Sequence, residues 1–272
     1  MRSSRRRQEE IVHLATTAGL TGVDELSARF AVSPSTIRRD LATLQSHGRL
    51  ARTFGGAIAI QAPPEGPVSH RLQEASDAKR SIARWAVQQI RPDETIVLDS
   101  GSTVAALAHQ LRLAHDVTVA TTSLRVMQEL AGSGSIHVEC LGGTLRHLSE
   151  GLVGPLAEMA LERMTFDRAF LGADGVTAED GICEADLHQT RLKELLASHA
   201  GQTYVLAHAE KLGRRPFHAW ARLPRGWTLV TDESADPAAL APFFAHGVNV
   251  VVVDAHDSAR AEPLRTEFER HR

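Results

Sequence analysis

Cysteines and long apolar runs are scarce in this sequence of 272 residues. The two cysteines, Cys140 and Cys183, lie far apart and have no Cys or His at metal-ligand spacing. They therefore predict buried thiols in a reducing compartment rather than a disulfide framework or a metal site. No apolar run reaches the roughly 18 residues of a membrane-spanning helix, and the N-terminus lacks the hydrophobic core of a signal peptide. We expect a cytoplasmic protein without membrane contact, metal or cofactor.

Aromatic residues are also few, at 4% of a chain that is 43% hydrophobic, so its cores are expected to be mainly aliphatic. The length allows two domains of the usual size. The net charge is only −3, but it is unevenly distributed: residues 1–57 hold nine Arg and no Lys against five acidic residues, a net charge of +4, and the remainder carries −7. Such asymmetry is typical of a small nucleic-acid-binding head on an acidic globular body.

Residues 31–41 have the pattern of the turn and recognition helix of a helix-turn-helix. Ser33 can cap a helix through its hydroxyl, and Pro34 suits the first helical position. Ile37, Leu41 and Leu44 recur at helical spacing and are expected to face a core. The polar positions near the helix N-terminus, which enter the major groove in this motif, are Ser35, Thr36, Arg38 and Arg39. The alternative is a small helical domain with a solvated basic face.

The residues around this stretch complete a winged head. Apolar spacing predicts helices over 5–18 and 24–30, and a recognition helix that continues to His47. A strand and tight turn over 49–57 would form a wing, with Arg49 and Arg52 on phosphates or in the minor groove. For Asp40 we expect an ion pair or packing back onto the head rather than base contact.

The head resembles the N-terminal region of the DeoR family of bacterial transcription regulators. The residues that carry the resemblance are Ser33-x2-Thr36-Ile37-Arg38-Arg39-Asp40-Leu41 and, in the wing, Arg52-Thr53-x-Gly55-Gly56-Ala57. Phe54 stands where many members have His. The resemblance implies a DNA-binding domain over 1–57, double-stranded operator DNA as the partner, and a transcription regulator as the function.

Beyond a Pro/Gly-rich linker over 58–76, strands and helices alternate as in a parallel α/β sheet. This body is predicted over 77–254, before a polar tail over 255–272. Asp77 is expected to cap its first helix, over 78–91. The predicted strands cover 95–99, 117–121, 136–141, 166–171, 203–207, 227–230 and 249–254. The further predicted helices cover 103–111, 123–130, 155–163, 185–199 and 237–245.

Four polar loops follow strands of this predicted sheet, where open α/β sheets bind ligands. Gly101 permits close backbone approach, and the hydroxyls beside it, with free helix N–H groups, can cradle a phosphate. Each loop alone is an ordinary cap or turn, but together they favour an anionic, hydroxylated small molecule. The loops are 99–103 with Asp99 and Ser100, 121–123 with Thr121, 142–144 with Gly142, Gly143 and nearby Arg146, and 172–175 with Asp174.

These loops, with Lys193, also resemble the DeoR sensor domain, whose fold is similar to ribose-5-phosphate isomerase. The expected fold class is therefore α/β: a winged helix-turn-helix followed by a mostly parallel, sugar-phosphate-isomerase-like sensor domain. The implied effector is a phosphorylated sugar or sugar alcohol. By this resemblance the phosphate would lie on Gly101, Ser102 and Thr103. Asp99 and Asp174 would accept bonds from sugar hydroxyls, and Lys211 and Arg146 would add positive charge.

An isomerase with an accessory DNA-binding head is the alternative. Aldose–ketose isomerisation needs a general base and groups that stabilise an enediolate. The isomerases have an acidic run at the fourth loop where this chain has Leu171 and Gly175, and Glu184 and Glu194 are expected to be solvated. We therefore expect a binding site without catalysis. An assembly module whose head binds protein is a third possibility, which the Arg-rich helix disfavours.

Two segments depart from the family pattern. His208 and Glu210 replace an acid and a hydroxyl beside Lys211, and His188-Gln189 replaces an acidic pair. Both changes lie where effector selectivity could be set. The expected function is a sequence-specific regulator, a repressor of a carbohydrate operon, acting as a homo-oligomer (dimer or tetramer) because two-fold operators require paired heads.

Overall fold

The computed structural model describes residues 21–46, 50–53, 56–59, 65 and 67–254, with residues 7, 8, 10, 11 and 14 before them. By the packing of its backbone the chain divides into two units near residue 65. We call the N-terminal unit the head and the other the body. Within the described ranges, no helix combines the length and hydropathy needed to span a bilayer. The predicted tail over 255–272 lies outside the described residues.

From residue 21 onward, the described part of the head has two helices and a small antiparallel sheet. Helix α1 covers Val23–Phe30 and α2 covers Pro34–Ser46. Strand β2 (Leu50–Thr53) is the predicted strand of the wing. Strand β3 (Gly56–Ala59) lies where a tight turn and the start of the linker were predicted, and it pairs with β2 and with β1 (Thr21–Gly22), which was not predicted either. The described positions of the predicted first helix are helical.

An aliphatic core holds the head together. The predicted core positions Ile37, Leu41 and Leu44 of α2 are buried and pack with Ile11 and Leu26. Burial of an aliphatic side chain contributes about 1.5–3 kcal/mol. This packing fixes which side of α2 faces solvent.

The body is a seven-stranded, wholly parallel sheet in the order β15-β14-β12-β9-β4-β5-β6. The order reverses between β4 and β9, which are neighbours in the sheet although β5 and β6 lie between them in the sequence. Ligands in such sheets bind at this switch point, beyond the carboxyl ends of the strands. The strands are β4 (Thr95–Leu98), β5 (Val117–Thr121), β6 (Ile136–Cys140), β9 (Phe166–Leu171), β12 (Ala200–Leu206), β14 (Thr228–Asp232) and β15 (Asn249–Val253).

Helices cover both faces of the sheet, so its strands are apolar on both sides. On one face Ile96 and Leu98 pack against α4, α5 and α6, and on the other Val97 packs in a layer with α7, α8 and α9. The helices are α4 (Ser76–Gln88), α5 (Ser102–Leu111), α6 (Leu124–Leu130), α7 (Pro155–Leu161), α8 (Leu187–Ser198) and α9 (Pro237–Ala245).

Four features of the body differ from the sequence expectation. A short helix, α3 (Val68–Arg71), lies in the stretch assigned to the linker. Helix α4 begins at Ser76 after Ala75, so Asp77 lies in the first turn, pairs with Arg80 and is not the cap. The other two differences are short strands in regions predicted as loop. They form the hairpin β7 (Thr144–Arg146) with β8 (Gly151–Val153), and the antiparallel sheet of β10 (Gly175–Thr177), β11 (Gly181–Glu184) and β13 (Ala219–Ala221).

The two cysteines form no disulfide. Cys183 is buried as expected, but the prediction of burial is wrong for Cys140, which is exposed. Cys140 ends β6, which is the edge strand of the large sheet. An edge strand is covered less completely than the strands inside the sheet.

Candidate functional site

The exposed N-terminal part of α2 carries the predicted base-reading residues. Ser33 precedes the helix and caps it as predicted, since its Oγ accepts from Thr36 N at 3.3 Å. The same Oγ lies 2.8 Å from Ser35 Oγ and 2.9 Å from Thr36 Oγ1, so the three hydroxyls form one network. Arg38 and Arg39 are exposed, and Thr36 is half-buried. The structure therefore leaves this end of the helix accessible.

Asp40 is buried in the head, whereas its neighbours Arg38 and Arg39 are exposed. Its carboxylate accepts from Arg7 Nε at 2.7 Å and from Gln8 Nε2 at 2.9 Å. The expected packing back onto the head is thus confirmed, with Arg7 as the ion-pair partner. In the wing, Arg52 lies on β2 opposite Ala57 of β3, and Arg49 lies outside the described residues.

In the body, a polar cavity opens at the switch point between β4 and β9. The cavity itself has a volume of about 10 Å³, room for about one water molecule, and the 310 Å³ of atom-free space around it includes open solvent. Six predicted effector residues line it, namely Ser100, Gly101, Ser102, Thr103, Asp174 and Lys211. Gly172 and Ala173 of the fourth predicted loop and Gln189, from a segment expected to set effector selectivity, also line it. The structure adds three residues that the sequence did not assign to the site, namely Arg71, Ser149 and Glu184.

The N-terminus of α5 forms one wall of the cavity. Ala105 N donates to Gly101 O at 2.9 Å as the first bond of the helix, which leaves the earlier N–H groups without a partner within it. Gly101 adopts φ 146°, a conformation that residues with a Cβ rarely adopt, and its Cα approaches Gly172 across the switch point. A helix start whose first N–H groups have no partner within the helix, beside the hydroxyls of the buried residues Ser102 and Thr103, suits an anion.

A buried ion cluster lies directly under this wall. Lys193 of α8 is 1% exposed, binds Asp99 at the end of β4, and lies 3.1 Å from Glu184 Oε1. Its Nζ also donates to Gly172 O at 2.9 Å, and Gly172 N donates to Asp99 Oδ2 at 3.0 Å. Asp99 therefore links the ends of the two switch-point strands. The expectation that Glu184 is solvated is wrong, because β11 carries it into the interior.

In this cluster Lys193 lies against two acidic side chains, and the pKa values of Glu184 and Lys193 are both raised. Burial raises the pKa of the Glu184 carboxyl to about 8, opposed by Lys193 and reinforced by Asp174 and Asp99. Burial acts to lower the pKa of Lys193, but the carboxylates Asp99 and Glu184 outweigh it and hold that pKa above its ordinary value. Near neutral pH, Glu184 thus holds its proton and Lys193 is charged.

Further cations surround the opening of the cavity. Arg71 Nη1 lies 2.5 Å from Asp174 Oδ1, and Lys211 Nζ donates to the carbonyl of Ala173. Burial, reinforced by the charge of Arg71, lowers the pKa of Lys211 despite the opposing carboxylate of Asp174. Burial and the charge of Lys211 likewise lower the pKa of Lys79 to about 8. Positive charges are crowded here, and a bound anion would relieve their repulsion.

Two acceptors at the cavity have no hydrogen-bond partner among the described residues. They are Asp174 Oδ2 and Gln189 Oε1, both buried. Gln189 is 5% exposed, and its Nε2 donates to Ser100 Oγ at 3.4 Å. A buried acceptor without a donor costs about 1–3 kcal/mol, so both oxygens favour a ligand that brings hydroxyl donors.

The other predicted effector residues lie outside the cavity lining. Thr121 is fully buried, and its Oγ1 donates to Leu98 O at 2.7 Å. Gly142 and Gly143 lead into β7, and a Cβ at Gly143 would lie 2.7 Å from Val153 O. Arg146 Nε lies 3.7 Å from Asp186 Oδ2 at the start of α8. Among the described residues, no group of three or more His, Cys, Asp or Glu side chains could hold a metal ion.

A winged helix-turn-helix joined to a parallel α/β body with a polar cavity at its switch point is the architecture of a ligand-responsive transcription regulator. Residues 7–62 match the DeoR-like helix-turn-helix domain, and residues 74–233 match the DeoR C-terminal sensor domain. The chain belongs to the DeoR family of transcriptional regulators.

Relatives match it over most of their length. The chain is 32% identical to the HTH-type transcriptional regulator GlpR of Haloferax volcanii, over 90% of this chain and 96% of that protein. It is 30% identical to a lactose phosphotransferase system repressor of Staphylococcus epidermidis, over 84% of this chain and 92% of that protein. Among solved structures, ribose 5-phosphate isomerase A from Methanocaldococcus jannaschii is similar at a TM-score of 0.38 and 20% identity, over 50% of this chain and 54% of that one.

Proposed function

We propose that this chain is a cytoplasmic repressor of carbohydrate genes that binds operator DNA through α2 and the wing. A phosphorylated sugar or sugar alcohol in the body's cavity would control its affinity for DNA. In this proposal Ser35, Thr36, Arg38 and Arg39 read bases, and Arg49 and Arg52 contact the DNA backbone. A homo-oligomer would pair two heads on a two-fold operator.

The residues that line the cavity are the main support for a phosphorylated, hydroxylated effector. The N-terminus of α5 and the cations Arg71 and Lys211 favour a phosphate, whereas the partnerless oxygens of Asp174 and Gln189 favour hydroxyl groups. A phosphosugar presents both groups in one molecule. The Staphylococcus relative is a repressor of a lactose phosphotransferase system, which agrees with this class of ligand.

We also propose that the body binds its effector without converting it. The cavity contains the carboxyl groups of Asp174 and Glu184, but Glu184 lies against Lys193, and Leu171 and Gly175 stand where the isomerases have further acidic residues. A general base for isomerisation has to reach a carbon acid of the substrate. An isomerase is the competing function, and a coupled assay on pentose and hexose phosphates separates the two.

The test is a thermal-shift panel on the full chain. Ribose 5-phosphate, fructose 6-phosphate, glucose 6-phosphate and glycerol 3-phosphate are each compared with the dephosphorylated compound. A ligand at 100 times its Kd adds about 2.7 kcal/mol of stability, which raises Tm by several degrees. We expect at least one phosphorylated compound to do so and its counterpart not to. No response to any of them, or turnover of one, would contradict the proposal.

Binding at this cavity is checked with Ser102→Ala and Thr103→Val, which remove the two hydroxyls at the start of α5. These variants should lose the response to the phosphorylated compound. Arg80→Gln, which changes an exposed residue of α4 away from the cavity lining, is the control and should keep it.

A further inference from the structure

The segment that joins the body to the head ends inside the effector cavity. Within it, Val68 is buried, and its N–H donates to Leu148 O at 2.8 Å. Three residues later, at the end of α3, Arg71 reaches the cavity and lines it together with Ser102 and Thr103. The chain therefore passes the proposed ligand position before the first long helix of the body begins.

Two of the contacts of Arg71 involve different parts of the residue. Its guanidinium contacts Asp174, with side chains 17% and 9% exposed. Its backbone carbonyl accepts from the ammonium of Lys79, which also donates to Glu74 O at 2.6 Å. The backbone contact is fixed by a buried lysine of α4, whereas the side-chain contact is made at the cavity surface. A ligand in the cavity can therefore reach the side-chain contact with Asp174 but not the backbone contact with Lys79.

The contact between Arg71 and Asp174 joins the two groups that a phosphosugar would separate. A planar guanidinium binds two phosphate oxygens at once, and such charge-assisted bonds are stronger than neutral ones. A carboxylate released by the arginine becomes an acceptor for sugar hydroxyls. Asp174 already has one oxygen without a partner, which is ready for such a donor.

We propose that Arg71 is a phosphate-binding residue of the effector site and that Asp174 competes with the effector phosphate for it. On binding, Arg71 exchanges the carboxylate for the phosphate, and Asp174 takes a sugar hydroxyl. Occupancy of the cavity thereby acts on residues 67–75, the part of the body nearest along the chain to the head. This inference rests on the proposed phosphosugar effector.

Calorimetric titration with inorganic phosphate, at constant ionic strength set by sodium chloride, tests the exchange. The same titration is made with each phosphosugar that raised Tm in the panel above. Arg71→Gln should weaken phosphate binding at least tenfold. Asp174→Asn should tighten it at least threefold, because the arginine is released. Arg80→Gln, a matched loss of an arginine from α4, should change nothing.

The double variant Arg71→Gln/Asp174→Asn separates competition from a general charge effect. If Asp174 acts by holding Arg71, the gain from Asp174→Asn disappears when Arg71 is absent. If the gain persists at full size, the competition is overturned. The opposite signs expected for the two single variants keep the test decisive even where one of them folds poorly, because the other still gives a result.

Hydrogen exchange of the amides of Val68 and Leu72 tests the action on the segment. Phosphate should change their exchange rates threefold or more in the wild-type protein and leave them unchanged in Arg71→Gln. Equal affinities of the wild-type and Arg71→Gln proteins, or unchanged exchange in the phosphate-saturated wild-type protein, would overturn this inference alone. A wild-type chain that binds neither phosphate nor any phosphosugar would overturn the proposed function as well.

Discussion

The ammonium of Lys193 lies 3.1 Å from the carboxyl group of Glu184, in a part of the body where both side chains are at most 5% exposed. The same ammonium binds Asp99. A buried ammonium is tolerated in the fold only because acidic partners surround it. The switch point is thus built on one buried cation shared between two strands and a helix.

Lys193→Met should destabilise the body strongly. Methionine fills much of the volume of lysine but leaves Asp99 and Glu184 buried without a cation. Removing one partner of a buried pair costs about 3–5 kcal/mol. Urea unfolding followed by circular dichroism measures the loss. A loss below about 1 kcal/mol would show that the cluster contributes little to stability.

Glu184→Gln should alter the dependence of stability on pH. The folded protein holds a proton on Glu184 up to about pH 8, whereas an unfolded glutamate releases it near pH 4.5. The stability contributed by this proton is present below pH 4.5 and is lost as pH rises to 8. The variant, which keeps a neutral acceptor, should therefore gain Tm relative to wild type between pH 5 and 8. A constant difference across that range would refute the raised pKa.

His208 should make the protein less stable as pH falls, the opposite of the pH dependence expected from Glu184. Burial, together with the charges of Lys211 and Lys79, lowers its pKa to about 4, and its Nδ1 has no hydrogen-bond partner among the described residues. A lowered histidine pKa means that stability is lost as pH falls from 6.5 to 4. His208→Gln should reduce this acid loss in urea titrations at pH 7 and 4.5. Equal losses in both proteins would contradict the assignment.

Arg38→Ala and Arg39→Ala should each weaken specific DNA binding. Both side chains are exposed at the start of α2, and an arginine that reads a guanine contributes about 1–3 kcal/mol of discrimination. A duplex selected by the protein from a random library, titrated in gel shifts, supplies the affinity. Arg80→Ala, in the body, serves as the control. Unchanged affinity in both head variants would mean that another surface reads the DNA.

Much of this fold could be predicted from the sequence, because its long elements carry clear periodicity. The aliphatic runs predicted all seven strands of the large sheet, and Ser33, Pro34 and the spacing of Ile37, Leu41 and Leu44 predicted α2. The short strands β7, β8, β10, β11 and β13 were not predicted. Strands of three or four residues are too short to show alternation, and their pairing depends on partners distant in the chain.

The candidate site could be predicted only where it lies on a strand-to-helix loop. Such loops meet at one edge of a parallel sheet, so Ser100, Ser102 and Asp174 could be assigned together. Arg71 and Glu184 could not be assigned to the site from the sequence. Arg71 lies in a stretch with the composition of a linker, and Glu184 lies on a short strand that was not predicted. Their roles come from tertiary packing, which brings Arg71 to Asp174 and Glu184 to Lys193.

The most direct test of the account is the affinity for the selected duplex, measured with and without the phosphosugar that raises Tm. We predict that the ligand weakens DNA binding by the wild-type chain at least fivefold, a coupling within the usual range for allosteric proteins. Protein carrying Ser102→Ala and Thr103→Val should bind the duplex with the wild-type affinity, and the ligand should leave that affinity unchanged. An affinity that the ligand leaves unchanged in the wild-type chain would contradict the account.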